Sequence, residues 1–231
     1  MKHLLFFSIC CLFLASCRDR REEAQPDSSN HIRFNNMAVG QTSRYVLFKG
    51  ESYDNPGNQN FAYYTDTLVL TIIGSDANGF LVEEKMAPGS ASLHGANHIT
   101  NAEEVYQYYF KVENDTVFQK AAPGSGAWLE NRLTYVPFKL PLAQITSPEV
   151  NITGWKTDHG YTESYWTGTD PAYSLFGIFY AHLNILTDNR MMAVDGPGSW
   201  YAYSAENGIV KTATYSWWTQ EGEGWDLLPD Q

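Results

Sequence analysis

His94 and His98, in Leu93-His94-Gly95-Ala96-Asn97-His98, come nearest to a metal-ligand pair, because four residues apart they would meet across one helical turn. A carboxylate would have to join them, and the intervening Gly and Asn place them on a loop, where they read as polar surface groups. Asp158-His159, with Glu163 nearby, carries acid/base chemistry, but neighbouring strand residues point to opposite faces and would not pair. His182 reads as a surface or cavity-lining polar group. Asp54-Asn55-Pro56-Gly57-Asn58 and Asp195-Gly196-Pro197-Gly198 are turn sequences before they are calcium ligands. The chain holds no Gly-x-Ser-x-Gly elbow, phosphate-binding Gly-rich loop, His-Glu-x-x-His or EF-hand loop. No catalytic residue, metal site or cofactor is therefore expected. A hydrolase centred on Asp158, His159 or Glu163 would require those side chains in one cleft.

The stronger bias is aromatic. All 7 tryptophans lie between Trp128 and Trp225. Adjacent Trp217 and Trp218 on a strand face opposite sides, so one of them leaves the main core unless both faces are covered. Trp166, Trp200, Tyr203, Trp217 and Trp218 are the candidate ligand-binding residues. Such groups stack on sugars or line a pocket for an apolar ligand, against the plainer role of core filling and cross-strand pairing.

Positioning those residues takes a folded body, and the composition supplies one. The chain has 231 residues, 43% of them hydrophobic and 18% charged, which suits one globular domain. With 15 Lys and Arg against 26 Asp and Glu, the formal net charge of −11 disfavours nucleic-acid binding.

The first residues, MKHLLFFSICCLFLASC, form a short polar start, an apolar run from Leu4 to Leu14, then small residues and a cysteine. That run falls short of the roughly 18 to 20 residues that span hydrocarbon, so it reads as a secretory signal. Leu14-Ala15-Ser16-Cys17 resembles the lipobox of bacterial lipoproteins: an aliphatic residue, two small residues, then the cysteine that is lipid-modified. The resemblance implies diacylglycerol on Cys17, cleavage before it and acylation of its new amino group. The other two cysteines, Cys10 and Cys11, leave with the signal, so the mature body has no disulfide.

Residues 17–33 read as the lipidated cysteine and a polar, flexible tether, and 34–231 as a single β-rich domain. Arg18 is not the aspartate that favours inner-membrane retention in enterobacterial lipoproteins, so the outer membrane is expected, with the side it faces left open.

From Phe34 onward, short β-branched and aromatic runs alternate with Asn, Asp, Gly and Pro, which predicts an all-β fold of about ten antiparallel strands. One hairpin runs from Asp66–Ile73 through a turn with Asn78-Gly79 to Phe80–Met86, and a second turns at Glu113-Asn114-Asp115. A third joins Phe179–Leu186 to Arg190–Val194, and a closing strand occupies Gly208–Thr219. The segment 171–186 fits both strand and helical spacing.

Met37-Ala38-Val39-Gly40 with Tyr45, and Trp200 through Lys211, resemble the opening strand and closing hairpin of certain envelope lipoproteins. That resemblance implies a single curled antiparallel sheet, a half-barrel or clam, in a protein without enzymatic activity. The expected function is a lipid-anchored binding or structural module. Its concave aromatic-lined sheet would hold an apolar ligand or partner peptide, with a surface glycan-binding module as the alternative. Expected partners are the membrane, through the lipid on Cys17, and an apolar ligand, a glycan or an envelope protein.

Overall fold

The computed structural model describes residues 30–51, 61–90, 105–123, 139–146, 149–153, 162–188, 197–216 and 221–230. The described part is all β. Its strands are β1 (Thr42–Glu51), β2 (Phe61–Asp76), β3 (Gly79–Met86), β4 (Val105–Glu113), β5 (Thr116–Ala121), β6 (Lys139–Pro141) and β7 (Glu149–Thr153). There follow β8 (Thr162–Asp170), β9 (Tyr173–Leu175), β10 (Ile178–Tyr180), β11 (Leu183–Asp188), β12 (Pro197–Ser204), β13 (Gly208–Ser216) and β14 (Glu221–Leu227). A 12-stranded antiparallel sheet runs in the order β6-β5-β4-β3-β2-β1-β14-β13-β12-β11-β8-β7, with β9 and β10 as a separate hairpin. The sheet curls into a half-barrel, as the sequence predicts, with more strands than the expected ten.

Turn chemistry sets the local register. Asn114 and Asp115 both adopt positive φ, 49° and 54°, forming the two-residue turn that matches strand twist between β4 and β5. Between β2 and β3 the main chain of Asn78 donates to Asp76 Oδ1 at 2.7 Å, and Gly79 takes φ 124°. A Cβ at Gly79 would lie 2.5 Å from the Phe110 carbonyl oxygen, so only glycine fits there.

Three details depart from the sequence expectations. The strand at Gly208 ends at Ser216 and does not close the fold; β14 follows and inserts between β1 and β13, joining the two ends of the chain. Phe179–Leu186 is not one strand, because His182, at φ 55°, separates β10 from β11. β11 pairs with β12, Asn184 to Thr187 against Tyr203 to Trp200, and with β8 on its other side, while Arg190–Val194 lies outside the described residues. Across 171–186 strand and turn replace the helical alternative: the helical spacing comes from β9, β10 and the start of β11, three strands broken by turns.

The register builds one continuous row on the inner face, from Leu186 through Tyr201, Thr212 and Trp225 to Leu47. Leu47, Leu68, Ile72, Val82, Val117 and Leu140 have no exposed surface, so the concavity is filled by the protein's own side chains. Residues 30–33, assigned to the tether from composition, belong to this packing. Ile32 is buried and its main-chain N–H donates to Ser43 Oγ at 2.9 Å, while Phe34 meets Phe110 edge to face at 5.6 Å. The segment caps one end of the half-barrel.

Across the same end runs a strap, the chain after β6. Asn184 Nδ2 donates to the carbonyls of Pro141 and Ala143 at 3.1 and 3.0 Å, and the Ile145 N–H donates to Asn184 Oδ1 at 3.3 Å. Tyr203 adds a hydrogen bond to the Pro141 carbonyl at 2.9 Å. These bonds span from one edge strand to strands near the opposite edge, bridging the open side.

Candidate functional site

At the capped end lies an open groove of about 760 Å3. Its apolar floor comes from Phe34, Met37, Phe80, Val112 and Leu142, and its rim carries Asn35, Asn36, Lys111 and Asp115. Each element is there for a local reason. The N-terminal segment is pinned by the Asn35 N–H to the Ala205 carbonyl at 2.9 Å, and the β4–β5 turn presents Val112 at 38% exposure. An apolar floor with a polar rim accommodates an amphipathic molecule rather than a small ion.

A second assembly sits on the outer face of β1, β13 and β14, where a half-barrel would ordinarily meet solvent. Lys211 and Asp226 are register partners, and Lys211 Nζ lies 2.7 Å from Asp226 Oδ1 with neither side chain exposed. Tyr63 donates to the other carboxylate oxygen at 2.8 Å. The ammonium stands 3.6 Å from the Phe48 ring centroid and 5.1 Å from that of Phe61, and these rings stack at 4.9 Å. The β9–β10 hairpin reaches the same place: Phe176 packs on Tyr63 at 5.0 Å, and Tyr173, Leu175 and Tyr180 are buried.

Burial raises the Asp226 carboxyl above its ordinary range, outweighing Lys211 and the Tyr63 hydrogen bond, which act the other way. Burial also pushes the Tyr180 phenol up to about 12, with the Asp230 and Asp226 charges adding to it. Tyr63 is raised too, by burial first and then by the Asp226 charge.

The residues singled out from the sequence are not brought together in the described part. Tyr203 is on the inner face, fully buried and bonded to the strap. Trp200 is on the outer face at 7% exposure, opposite Ala213, so the two do not line a shared concave surface. Trp166 is described through its backbone alone, opposite Thr187, which is itself opposite Trp200. Cys17, Trp217, Trp218, His94, His98, Asp158 and His159 lie outside the described residues, and Glu163 is described only as backbone paired with Ile152. His182 is exposed. Among the described residues no group of three or more His, Cys, Asp or Glu could hold a metal ion.

Sequence reasoning missed Lys211, Asp226 and Tyr63. The available signal was a lysine inside the run Ile209-Val210-Lys211-Thr212-Ala213, and an aspartate between Trp225 and Leu227 on another strand. Opposite charges embedded in two apolar runs mark a buried pair, but only if the strands are known to be neighbours.

No family model matches the chain, and no curated protein matches it. Among solved structures, it is similar to a crystal structure described as a "putative lipoprotein" from Parabacteroides distasonis, at 9% identity and a TM-score of 0.35. The match covers 85% of this chain and 97% of that one.

Proposed function

We propose that this chain is a lipid-anchored protein of the bacterial outer membrane, held through Cys17, whose body is a non-catalytic binding module for an apolar or amphipathic ligand or a partner's peptide. The observation that carries the binding half is the groove floored by Phe34, Phe80, Val112 and Leu142. The concave face is filled, so the ligand site expected there moves to the capped end of the half-barrel. The lipobox and Arg18 support the anchor and its membrane.

Both halves bear on one another. The chain enters the fold at the groove end, where the Asn30 carbonyl accepts the Thr42 N–H at 2.8 Å. Residues 18–29 span at most about 40 Å when extended, so the groove stays within reach of the bilayer surface.

One fractionation experiment tests the reading. Cys17→Ser is expected to move a folded body from the membrane to the soluble fraction, and mass spectrometry of that soluble protein should find a stoichiometric apolar molecule. Val112→Asp, in the groove floor, should lose it. Continued lipid labelling of Cys17→Ser would overturn the anchor, and an empty groove would overturn the carrier in favour of glycan binding, which glycan arrays would then register.

A further inference from the structure

The geometry points to Lys211 and Asp226 as the site of a self-formed intramolecular isopeptide bond, joining β13 to β14 side chain to side chain. The nucleophile and the electrophile face each other because the ladder makes them register partners, and they are in contact at 2.7 Å. Neither has any exposed surface, and the Phe48 and Phe61 rings stand beside the amine. Tyr63 supplies the third part, its hydroxyl donating to Asp226 Oδ2 at 2.8 Å.

In water an ammonium and a carboxylate do not condense, because solvation favours the ions. Burial removes that protection, since each desolvated charge costs several kcal/mol even after relaxation. Proton transfer from Nζ to Oδ1 converts the ion pair to amine and carboxylic acid, the forms that react. The raised Asp226 carboxyl is consistent with this transfer.

The step then balances without any co-reactant. The Nζ lone pair attacks Cγ, and the electron pair of the Cγ–Oδ2 bond moves onto Oδ2, where the Tyr63 hydroxyl stabilises the developing charge. The Cγ–Oδ1 bond breaks and Oδ1 leaves as water, carrying its own proton and one from the amine. The Oδ2 electron pair re-forms the carbonyl, and Nζ, having given up two of the ammonium's three protons, keeps the third as the amide N–H. Nothing is oxidised or reduced. Fixing both groups on neighbouring strands replaces a bimolecular encounter with an intramolecular one, worth effective molarities of about 10⁵ M or more.

The test is a peptide map of the full-length protein purified in detergent from membranes. Expected is a tryptic peptide spanning residues 191–231, uncleaved after Lys211 and one water lighter than its linear sequence, since Asp226 lies on the segment that directly follows Lys211. Complete cleavage there, with both peptides at their unmodified masses, would overturn the proposal. The unsubstituted protein decides this alone, whatever becomes of Lys211→Arg. Tyr63→Phe, which keeps the ring and loses the hydroxyl, should slow appearance of the joined peptide by about a hundredfold in a pulse-chase. An unchanged rate would remove Tyr63 from the mechanism.

Discussion

The strap at the capped end and the outer face of β13 and β14 both join strands through buried polar groups, but with different currencies. At the strap, Asn184 and Tyr203 reach across the half-barrel and bond to backbone carbonyls, neutral partners to neutral partners. On the outer face, Lys211 and Asp226 are buried as potential ions beneath aromatic rings and a hairpin. A neutral bond that is lost leaves a polar group seeking water or a new partner. An ion whose partner is lost stays charged in a place with no solvent, or must change its protonation. The same area of sheet therefore differs sharply in what it tolerates.

The largest effect should come from taking one member of the outer pair. Asp226→Ala strands the Lys211 ammonium and is expected to cost about 3–5 kcal/mol by denaturant unfolding. Replacing both, Lys211→Met with Asp226→Leu, restores apolar packing and should recover the part of that loss that comes from the stranded charge. A double variant as unstable as the single would show that shape rather than charge governs the site. One that packs well yet melts far below the unsubstituted protein would be the thermodynamic trace of the covalent bond.

At the strap the loss should be smaller. Asn184→Ala removes three hydrogen bonds to Pro141, Ala143 and Ile145 at once, and about 1–3 kcal/mol is expected by the same measurement. Some of the freed backbone groups lie near the edge of the sheet and recover water. A loss equal to that of Asp226→Ala would erase the contrast between the two regions.

What could be read from the sequence follows the range of the interactions. The β4–β5 turn was legible because Asn114-Asp115 carries its own backbone preference, and the lipobox because four adjacent residues spell it. The insertion of β14 between β1 and β13 was not, because it joins residues at opposite ends of the chain, which no local pattern reports. Its glycine is nonetheless required: a Cβ at Gly224 would lie 1.9 Å from the Thr212 carbonyl oxygen. Which aromatic face is packed was hidden for a related reason. Period-two alternation assigns each strand one wet face, whereas β13 is buried on both, with Phe48 against Lys211 on one side and the core on the other. Trp200 and Tyr203, on opposite faces of β12, are both covered, so aromatic content alone could not tell a lining from a filling.

The smallest effect concerns a carboxylate at the β2–β3 turn, whose environment has the opposite sign to that of Asp226. Asp76 accepts the Asn78 N–H at 2.7 Å and the Tyr109 hydroxyl at 2.9 Å, and chiefly the first of these holds its carboxyl below the ordinary range. With a folded pKa below the unfolded one, the unfolded chain binds the proton first as pH falls. Asp76 therefore contributes stability above its ordinary value of 3.8, and that contribution is lost as pH drops through the lowered one. For Asp226, raised rather than lowered, acidification through its window favours the folded state. Melting curves from neutral pH to below pH 3.8 should thus fall less steeply for Asp76→Asn than for the unsubstituted protein. Parallel curves would mean that the turn's hydrogen bonds are as strong to a neutral acceptor as to a charged one, and that this turn does not share in the electrostatics that distinguish the outer face.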